Sequence, residues 1–176
     1  TTLFRSVTNN ITLDLNGKTL SGTISSSYPR LLYMNSANKT LTIMDSKTGG
    51  KLSATGSYTS ALYCIQINNG NVILESGTIE IENTNTSQTT ANRLYATGVY
   101  VKEGKTFTMN GGKIISTRHA RDAYGVYVNA TKAARGIATI NDGEIYSYGN
   151  TYAYGIRGYG EINVNGGTVH AETLTG

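Results

Sequence analysis

The stretch "TFTMNGGKII", residues 106–115, decides the fold, because an alternating strand pattern runs into two glycines and then resumes. A hairpin would need a second strand that returns antiparallel, and a phosphate-binding loop would need glycines that open a helix carrying a Lys-Ser or Lys-Thr pair. Neither context surrounds Gly111 and Gly112. The pattern instead recurs along the chain, so the two glycines belong to a repeat.

The repeat is marked by a glycine two or three places before an apolar residue. Related stretches are "TLDLNGKTL" (12–20), "TIMDSKTGGKL" (42–52), "VILESGTI" (72–79), "ATINDGEI" (138–145) and "INVNGGTV" (162–169). The marking glycines are Gly17, Gly50, Gly77, Gly112, Gly143 and Gly167, with spacings of 33, 27, 35, 31 and 24 residues. A module of fixed shape would keep one period, so the variable spacing predicts a constant strand frame joined by loops of different length, which is a solenoid.

A third strand recurs between successive glycine positions. Its copies are "RLLYMN" (30–35), "YCIQIN" (63–68), "TGVYVK" (97–102), "YGVYVN" (124–129) and "YGIRGY" (154–159). Each turn of the repeat therefore contains three short strands. Stacking equivalent strands predicts three inward ladders, namely Leu15, Ile43, Leu74, Met109, Ile140 and Val164; Leu20, Leu52, Ile79, Ile114, Ile145 and Val169; and Leu32, Ile65, Val99, Val126 and Ile156.

Two outward files follow from the same stacking. Period-2 alternation predicts an exposed ladder of Tyr33, Gln66, Tyr100, Tyr127 and Arg157 on the third strands. Before the glycines stand Asn16, Asn110, Asn141 and Asn165, with Glu75 and the Met44-Asp45 pair in the other repeats. Because stacked identical amides can hydrogen-bond along the stack, we expect an asparagine ladder at this corner.

These patterns predict an all-β fold, a single-stranded right-handed parallel β-helix of about six coils with three short strands each. The composition agrees, with 21 Gly, 13 Tyr, one Pro and no Trp. We expect residues 1–176 to form one domain excised from a longer chain. The last coil would then be capped by the remainder of that chain or by another protomer.

Composition argues against several classes of function. The net charge is +4, but Lys and Arg are scattered instead of clustered on one stretch, so we expect no nucleic-acid binding. No segment is long and apolar enough to predict membrane insertion. His119 and His170 lie far apart and outside any metal-ligand spacing, so we expect no metal and no cofactor. Cys64 replaces a glycine of the repeat, which predicts a small buried side chain.

The stretches "ITLDLNGKTLSG" and "LTIMDSKTGGKL", followed by the repeated Gly-Gly-x-Ile segments, resemble the right-handed parallel β-helix repeats of bacterial cell-surface proteins in the pectin-lyase-like superfamily. The resemblance covers residues 10–172. It implies an extracellular or cell-wall-attached bacterial protein, and its scaffold serves enzymes, adhesins and stalks alike.

Catalytic residues are not indicated. The paired Asp, His-Gly and Arg-x-Lys signatures of pectin hydrolases and the acidic calcium cluster of the lyases do not occur. The alternative function, a polysaccharide-degrading hydrolase or lyase, would have to rely on a few residues on one side of the coil. These candidates are Glu80, Glu82, Arg118, His119, Arg121 and Asp122.

The loops between the second and third strands all leave the same corner of the coil, so their side chains should cluster. The candidate ligand-binding residues are Tyr58, Arg93, Tyr95, Arg118, Arg121, Asp122, Tyr124, Tyr148, Tyr152 and Tyr154. Tyrosine rings stack on sugar rings, and Arg and Asp hydrogen-bond to hydroxyl groups. The sequence therefore predicts a non-catalytic adhesin or stalk module whose partner is a polysaccharide or a host glycan or protein.

Overall fold

A computed structural model describes residues 9–25, 29–87 and 95–174. In this part of the chain the secondary structure is entirely β, so no helix that could cross a membrane occurs there. The strands are β1 (Ile11–Asp14), β2 (Thr19–Thr23), β3 (Arg30–Met44), β4 (Lys51–Gly56), β5 (Leu62–Leu74), β6 (Thr78–Asn83), β7 (Tyr95–Val101), β8 (Thr106–Met109), β9 (Lys113–Arg118), β10 (Asp122–Val128), β11 (Ile137–Ile140), β12 (Glu144–Gly149), β13 (Tyr152–Gly158), β14 (Glu161–Val164) and β15 (Thr168–Thr173).

The strands form two parallel sheets. Sheet B has six strands in the order β15-β12-β9-β6-β4-β2. Sheet A has nine strands, because β3 and β5, of 15 and 13 residues, each run through two successive segments of the repeat. The first parts of β3 and β5 pair with each other, and the sheet continues from β5 through β7, β10 and β13. Their last parts also pair with each other, with β1 beyond β3 and with β8, β11 and β14 beyond β5. The predicted parallel β-solenoid is confirmed.

The number of turns is lower than predicted. The structure has about four turns, where the sequence predicted about six. Six glycine positions were counted, but the first and last repeats supply the two ends of the solenoid. In sheet B, for example, β2 and β15 each have a neighbour on one side only, whereas β4, β6, β9 and β12 are flanked on both sides.

The register confirms two of the three predicted inward ladders in full. Leu20 pairs with Leu52, and this ladder continues in register to Val169 through sheet B. Leu32 pairs with Ile65, and that ladder continues to Ile156 through β7 and β10. Side chains from the two sheets meet in one aliphatic core. The last repeat ends this core, and Val169 is 43% exposed there.

The third ladder was wrong at its first member. Leu13 pairs with Ile43, and the ladder then continues through Leu74 to Val164. The predicted member Leu15 lies two residues further on, where it is still buried, with 2% exposure. The cause is turn length, since residues 15–18 connect β1 to β2 and residues 45–50 connect β3 to β4, whereas only 75–77 connects β5 to β6. Counting back from the glycine therefore shifts the register in the first repeat.

The asparagine ladder is confirmed in the later repeats. The Asn165 Nδ2 donates to Asn141 Oδ1 at 2.8 Å, and the Asn141 Nδ2 donates to Asn110 Oδ1 at 2.8 Å. The Asn110 Nδ2 then donates to both carboxylate oxygens of Glu75 at 3.0 Å. Asn16 was wrongly included, because the longer first turn places Asp14 at this position, in register with Met44.

Asp45 holds the two long turns together. Its Oδ1 accepts a hydrogen bond from the backbone N–H of Gly17 at 2.6 Å, and its Oδ2 accepts one from that of Gly50 at 2.7 Å. The short turns need glycine for another reason. Gly112 has a φ of +80°, and a Cβ there would lie 2.6 Å from the carbonyl oxygen of Gly77 in the preceding turn.

Candidate functional site

One half of sheet A is formed by β7, β10, β13 and the first parts of β3 and β5. Two neighbouring files of side chains cover the outer side of this half. One is the predicted file Tyr33, Gln66, Tyr100, Tyr127 and Arg157, whose register is confirmed. The other contains Arg30, Tyr63, Thr97, Tyr124 and Tyr154. Tyr95 and Tyr152 lie beside them. We call these twelve residues the tyrosine face.

The second file faces outward because alternation breaks once in every strand of this half-sheet. Cys64 and Ile65 are adjacent in sequence and both fully buried. The equivalent of Cys64 in the next strand is Gly98, where a Cβ would lie 2.5 Å from the Ile114 Cγ2 of sheet B. Two consecutive residues thus point into the core, so the residue before them, such as Tyr63, points outward. Strict period-2 alternation would have placed it inside.

The rings of the tyrosine face form a continuous series of contacts. Tyr63 and Tyr100 have ring centroids 5.2 Å apart, and Tyr100 and Tyr127 have centroids 5.8 Å apart with planes inclined by 4°. Tyr127 also lies 5.5 Å from Tyr124, which lies 5.4 Å from Tyr154. These separations fall within the range in which aromatic pairs attract each other. The contacts fix the rings before any ligand arrives.

An arginine lies at each end of the tyrosine face. In β3 the Arg30 guanidinium lies 4.1 Å from the centroid of Tyr33, and its Nη1 donates to Gln66 Oε1 at 2.9 Å. In β13 the Arg157 guanidinium lies 4.4 Å from the centroid of Tyr154. Cation–π contact orients both guanidinium planes against the rings. They give the face a positive charge at both ends.

Four of the candidate residues lie on the tyrosine face, with different exposure. These are Tyr95, Tyr124, Tyr152 and Tyr154. Tyr152 is 52% exposed, whereas Tyr124 is only 3% exposed. The Tyr124 hydroxyl donates to Asp122 Oδ2 at 3.3 Å and accepts from Arg157 Nη1 at 3.3 Å. Tyr124 therefore supports its neighbours, while the half-buried Tyr100, Tyr127 and Tyr154 present ring surface to solvent.

Arg118 and Tyr58 lie away from the tyrosine face. Alternation along β9 directs Ile114, Ser116 and Arg118 inward, and all three are fully buried. The Arg118 Nη1 donates to the carbonyl oxygen of Tyr58 at 3.0 Å, and Asn83 Nδ2 donates to the same oxygen at 3.1 Å. Tyr58 packs against the core. The two hydrogen bonds to the Tyr58 carbonyl hold the loop that follows β4 in place.

Burial sets the electrostatics of Arg118. It lowers the pKa of the guanidinium to about 10, an effect that the nearby Asp122 carboxylate opposes. The Nε and Nη2 of Arg118 and the Oδ1 of Asp122 are buried without a hydrogen-bond partner in the described part of the chain. Arg118 is still protonated near pH 7, but its complete burial removes it from the surface on which the sequence had placed it.

The remaining candidates do not join one cluster. Asp122 lies at the edge of the tyrosine face, in register between Tyr95 and Tyr152. Arg121 is half-buried at the neighbouring corner. Tyr148 belongs to the outer side of sheet B, where it stacks on Tyr146 with centroids 6.4 Å apart. Arg93 lies outside the described residues.

The candidates for the alternative, enzymatic function are divided between separate places. His119 Nε2 lies 2.8 Å from Glu82 Oε1 on the outer side of sheet B. Glu80 on the same side contacts Lys51 Nζ at 3.2 Å. Arg118 is inside the coil and Asp122 borders the tyrosine face. Hydrolysis by paired carboxylates needs both groups across one cleft, an arrangement that these positions do not provide.

A groove of about 510 Å³ follows the glycine turns at the corner between β8 and β9 and their neighbours. Its walls are mostly main chain and short side chains, and Lys113 and Glu144 border it, 2.6 Å apart. We nevertheless favour the tyrosine face as the candidate site, because aromatic rings that carry hydroxyl groups recognise a ligand more specifically than a trough walled by main chain.

Because of the tyrosine face, the free energy of unfolding should fall at alkaline pH. Burial raises the pKa of Tyr63 and of Tyr124 above the ordinary value of 10.0. Below about pH 10 both phenols are protonated in the folded and unfolded chains, so stability is complete there. As pH rises further the unfolded chain loses these protons first, and the free energy of unfolding falls. Urea unfolding at pH 8, 10 and 11 would measure the decline.

The matched variant is Tyr63→Phe with Tyr124→Phe, which removes the two hydroxyl groups and keeps the rings. We expect it to be less stable than the native chain at pH 8, since the Tyr124 hydrogen bonds are lost. Its free energy of unfolding should decline less between pH 10 and 11 than that of the native chain. An equal decline in both proteins would contradict the assignment of this pH dependence to Tyr63 and Tyr124.

Comparison of the chain with protein-family models, curated proteins and solved structures gave no match. The fold and the tyrosine face therefore rest on the sequence and the structure of this chain.

Proposed function

We propose that the chain is a non-catalytic module of a secreted or cell-wall-attached bacterial protein, related to the pectin-lyase-like β-helices, and that it binds glycan through the tyrosine face as an adhesin. The observation that carries the proposal is the continuous series of tyrosine rings across β5, β7, β10 and β13. Rigid, half-buried aromatic rings offer contact area to a ligand at a low cost in conformational entropy.

The arrangement of polar groups supports a hydroxyl-rich ligand. The Tyr100 hydroxyl accepts from Asn129 Nδ2 at 3.2 Å, which leaves its own proton able to donate. Arg157 carries further N–H groups beside Tyr154. A surface that combines apolar rings with donors at their rims suits sugars, whose rings have apolar faces and polar edges.

The test compares two matched pairs of substitutions in a glycan array and in pull-down with insoluble polysaccharides. Tyr127→Leu with Tyr154→Leu removes rings from the tyrosine face, and Tyr146→Leu with Tyr148→Leu removes a stacked pair from the outer side of sheet B. We expect the first pair to weaken binding by more than about 1 kcal/mol and the second to leave it within about 0.5 kcal/mol.

Three results would change the proposal. Equal weakening by both pairs would remove the tyrosine face as the binding surface. Absence of any binding by the native chain would leave the stalk function, which needs only stacked coils. Release of reducing ends or of unsaturated products from a polysaccharide would favour the alternative, a hydrolase or lyase.

A further inference from the structure

We infer that the glycan bound by the tyrosine face is an unbranched, ribbon-like chain with β-1,4 linkages that lies along the axis of the solenoid, an inference that rests on the proposed function. The first argument is the shape of the face. It extends over five paired strands, from β3 to β13, and four steps of about 4.8 Å give a length of about 19 Å along the axis.

Across the axis the tyrosine face is narrow. At β10 the ring that it presents to solvent is Tyr127, because Tyr124, with its centroid 5.5 Å away, is only 3% exposed. A single sugar would cover one or two rings and leave the rest in water. A chain of several sugars would cover the long dimension, so the shape of the face matches a polymer aligned with the axis.

The second argument is that the stacked strands space the rings regularly along the axis. Tyr100 and Tyr127 are in register on neighbouring strands with planes inclined by 4°, whereas Tyr63 and Tyr154 are tilted against their neighbours by 59° and 42°. A ligand that contacts them all must present similar surfaces at regular intervals in a straight line. A β-1,4-linked chain of flat sugars does so, whereas an α-1,4-linked chain curves into a helix.

The third argument is the position of the arginines. Arg30 and Arg157 stand at opposite ends of the long dimension, on β3 and β13, and each is held against a ring. A short ligand can contact one of them. Only a ligand that spans the face can accept hydrogen bonds from both guanidinium groups, as a chain with hydroxyl groups along its length would.

The experiment measures dissociation constants by isothermal titration calorimetry for the native chain. The ribbon-like probes are cello-oligosaccharides and chito-oligosaccharides of two to six units. Maltohexaose, with the same glucose units as cellohexaose but α-1,4 linkages, is the shape control. We expect affinity for at least one ribbon-like series to rise by about tenfold or more from two to six units, and maltohexaose to bind at least about tenfold more weakly than the hexasaccharide of that series.

Variants at the two ends test the orientation. Arg30→Gln and Arg157→Gln should each weaken binding of the hexasaccharide by about threefold or more. A disaccharide covers one end at most, so we expect at most one of the two substitutions to weaken its binding. Thermal unfolding of both variants would check that the fold is retained.

The outcomes separate this inference from the proposed function. Within the ribbon-like series that binds, equal affinity for disaccharide and hexasaccharide, or a hexasaccharide that binds no more tightly than maltohexaose, would overturn the inference and leave glycan binding in place. Binding of another glycan but of neither ribbon-like series would do the same. Failure to bind any oligosaccharide or polysaccharide would overturn both.

Discussion

Replacement of Val126 by Asp should unfold the centre of the solenoid. Val126 is fully buried and stacks in register between Val99 and Ile156. The carboxylate would enter an aliphatic interior that offers it no positive partner at this position, and an unpaired buried charge costs several kcal/mol even after its pKa rises. We expect a loss of about 4 kcal/mol or more in the free energy of unfolding, measured by urea denaturation.

The matched control places the same residue on the outer side of sheet A. Thr139 is half-buried and lies in register between Thr108 and Asn163, in the half of the sheet away from the tyrosine face. Its replacement by Asp should cost less than about 1 kcal/mol, because the carboxylate stays in water. Native-like stability of the Val126→Asp protein would show that the inward register of β10 is wrong.

Replacement of Gly98 by Ala should also destabilise the fold strongly. A Cβ at this position would lie 2.5 Å from the Ile114 Cγ2 and 2.6 Å from the carbonyl oxygen of Gly125. The second contact is with main chain, which cannot move without disturbing β10, so overpacking should cost about 3 kcal/mol. The same change should displace the tyrosine face, since Gly98 adjoins Thr97 in the second file.

Cys64 provides the matched comparison, because it occupies the equivalent position one strand earlier and is fully buried. Cys64→Ala introduces the same side chain where a larger one already fits. We expect a loss below about 1.5 kcal/mol in urea denaturation. If the two substitutions had equal effects, the close approach of the two sheets at Gly98 would not be a requirement of the fold.

The solenoid could be predicted from sequence because its core repeats. Ladders such as Leu32 to Ile156 place one class of residue at each step, and the same spacing recurs in every turn. The register of the first turn was predicted wrongly because the number of residues between the glycine and the strand before it is not constant. Two more residues separate Leu13 from Leu20 than separate Leu74 from Ile79, which moved Leu15 and Asn16 out of the predicted files, although both still lie in the turn.

The candidate site was predicted less completely, for two physical reasons. Arg30 and Tyr63 were missed because alternation breaks just after them, at Leu31 and Cys64, and only the packing of Gly98 against Ile114 reveals this. Arg118 was placed on the surface because residues 116–123 were assigned to a loop, whereas β9 continues to Arg118 and its alternation directs this side chain inward. In this case the end of the strand was predicted too early.

The placement of the tyrosines within the candidate set depended on which sheet each one joins. Tyr148 and Tyr152 are close in sequence, but they belong to β12 in sheet B and β13 in sheet A. The loop between them turns the corner of the coil, so the two rings face different sides. The sequence indicated a common corner for these loops without separating its two sides.

The most direct test of the account is an NMR titration of chain labelled with ¹³C in the tyrosine rings, with cellohexaose, chitohexaose or whichever glycan the array identifies as the ligand. We expect shift changes in Tyr100, Tyr127 and Tyr154 and none in Tyr146 or Tyr148, which lie on sheet B. Changes at Tyr146 and Tyr148 with none on the tyrosine face would contradict this expectation.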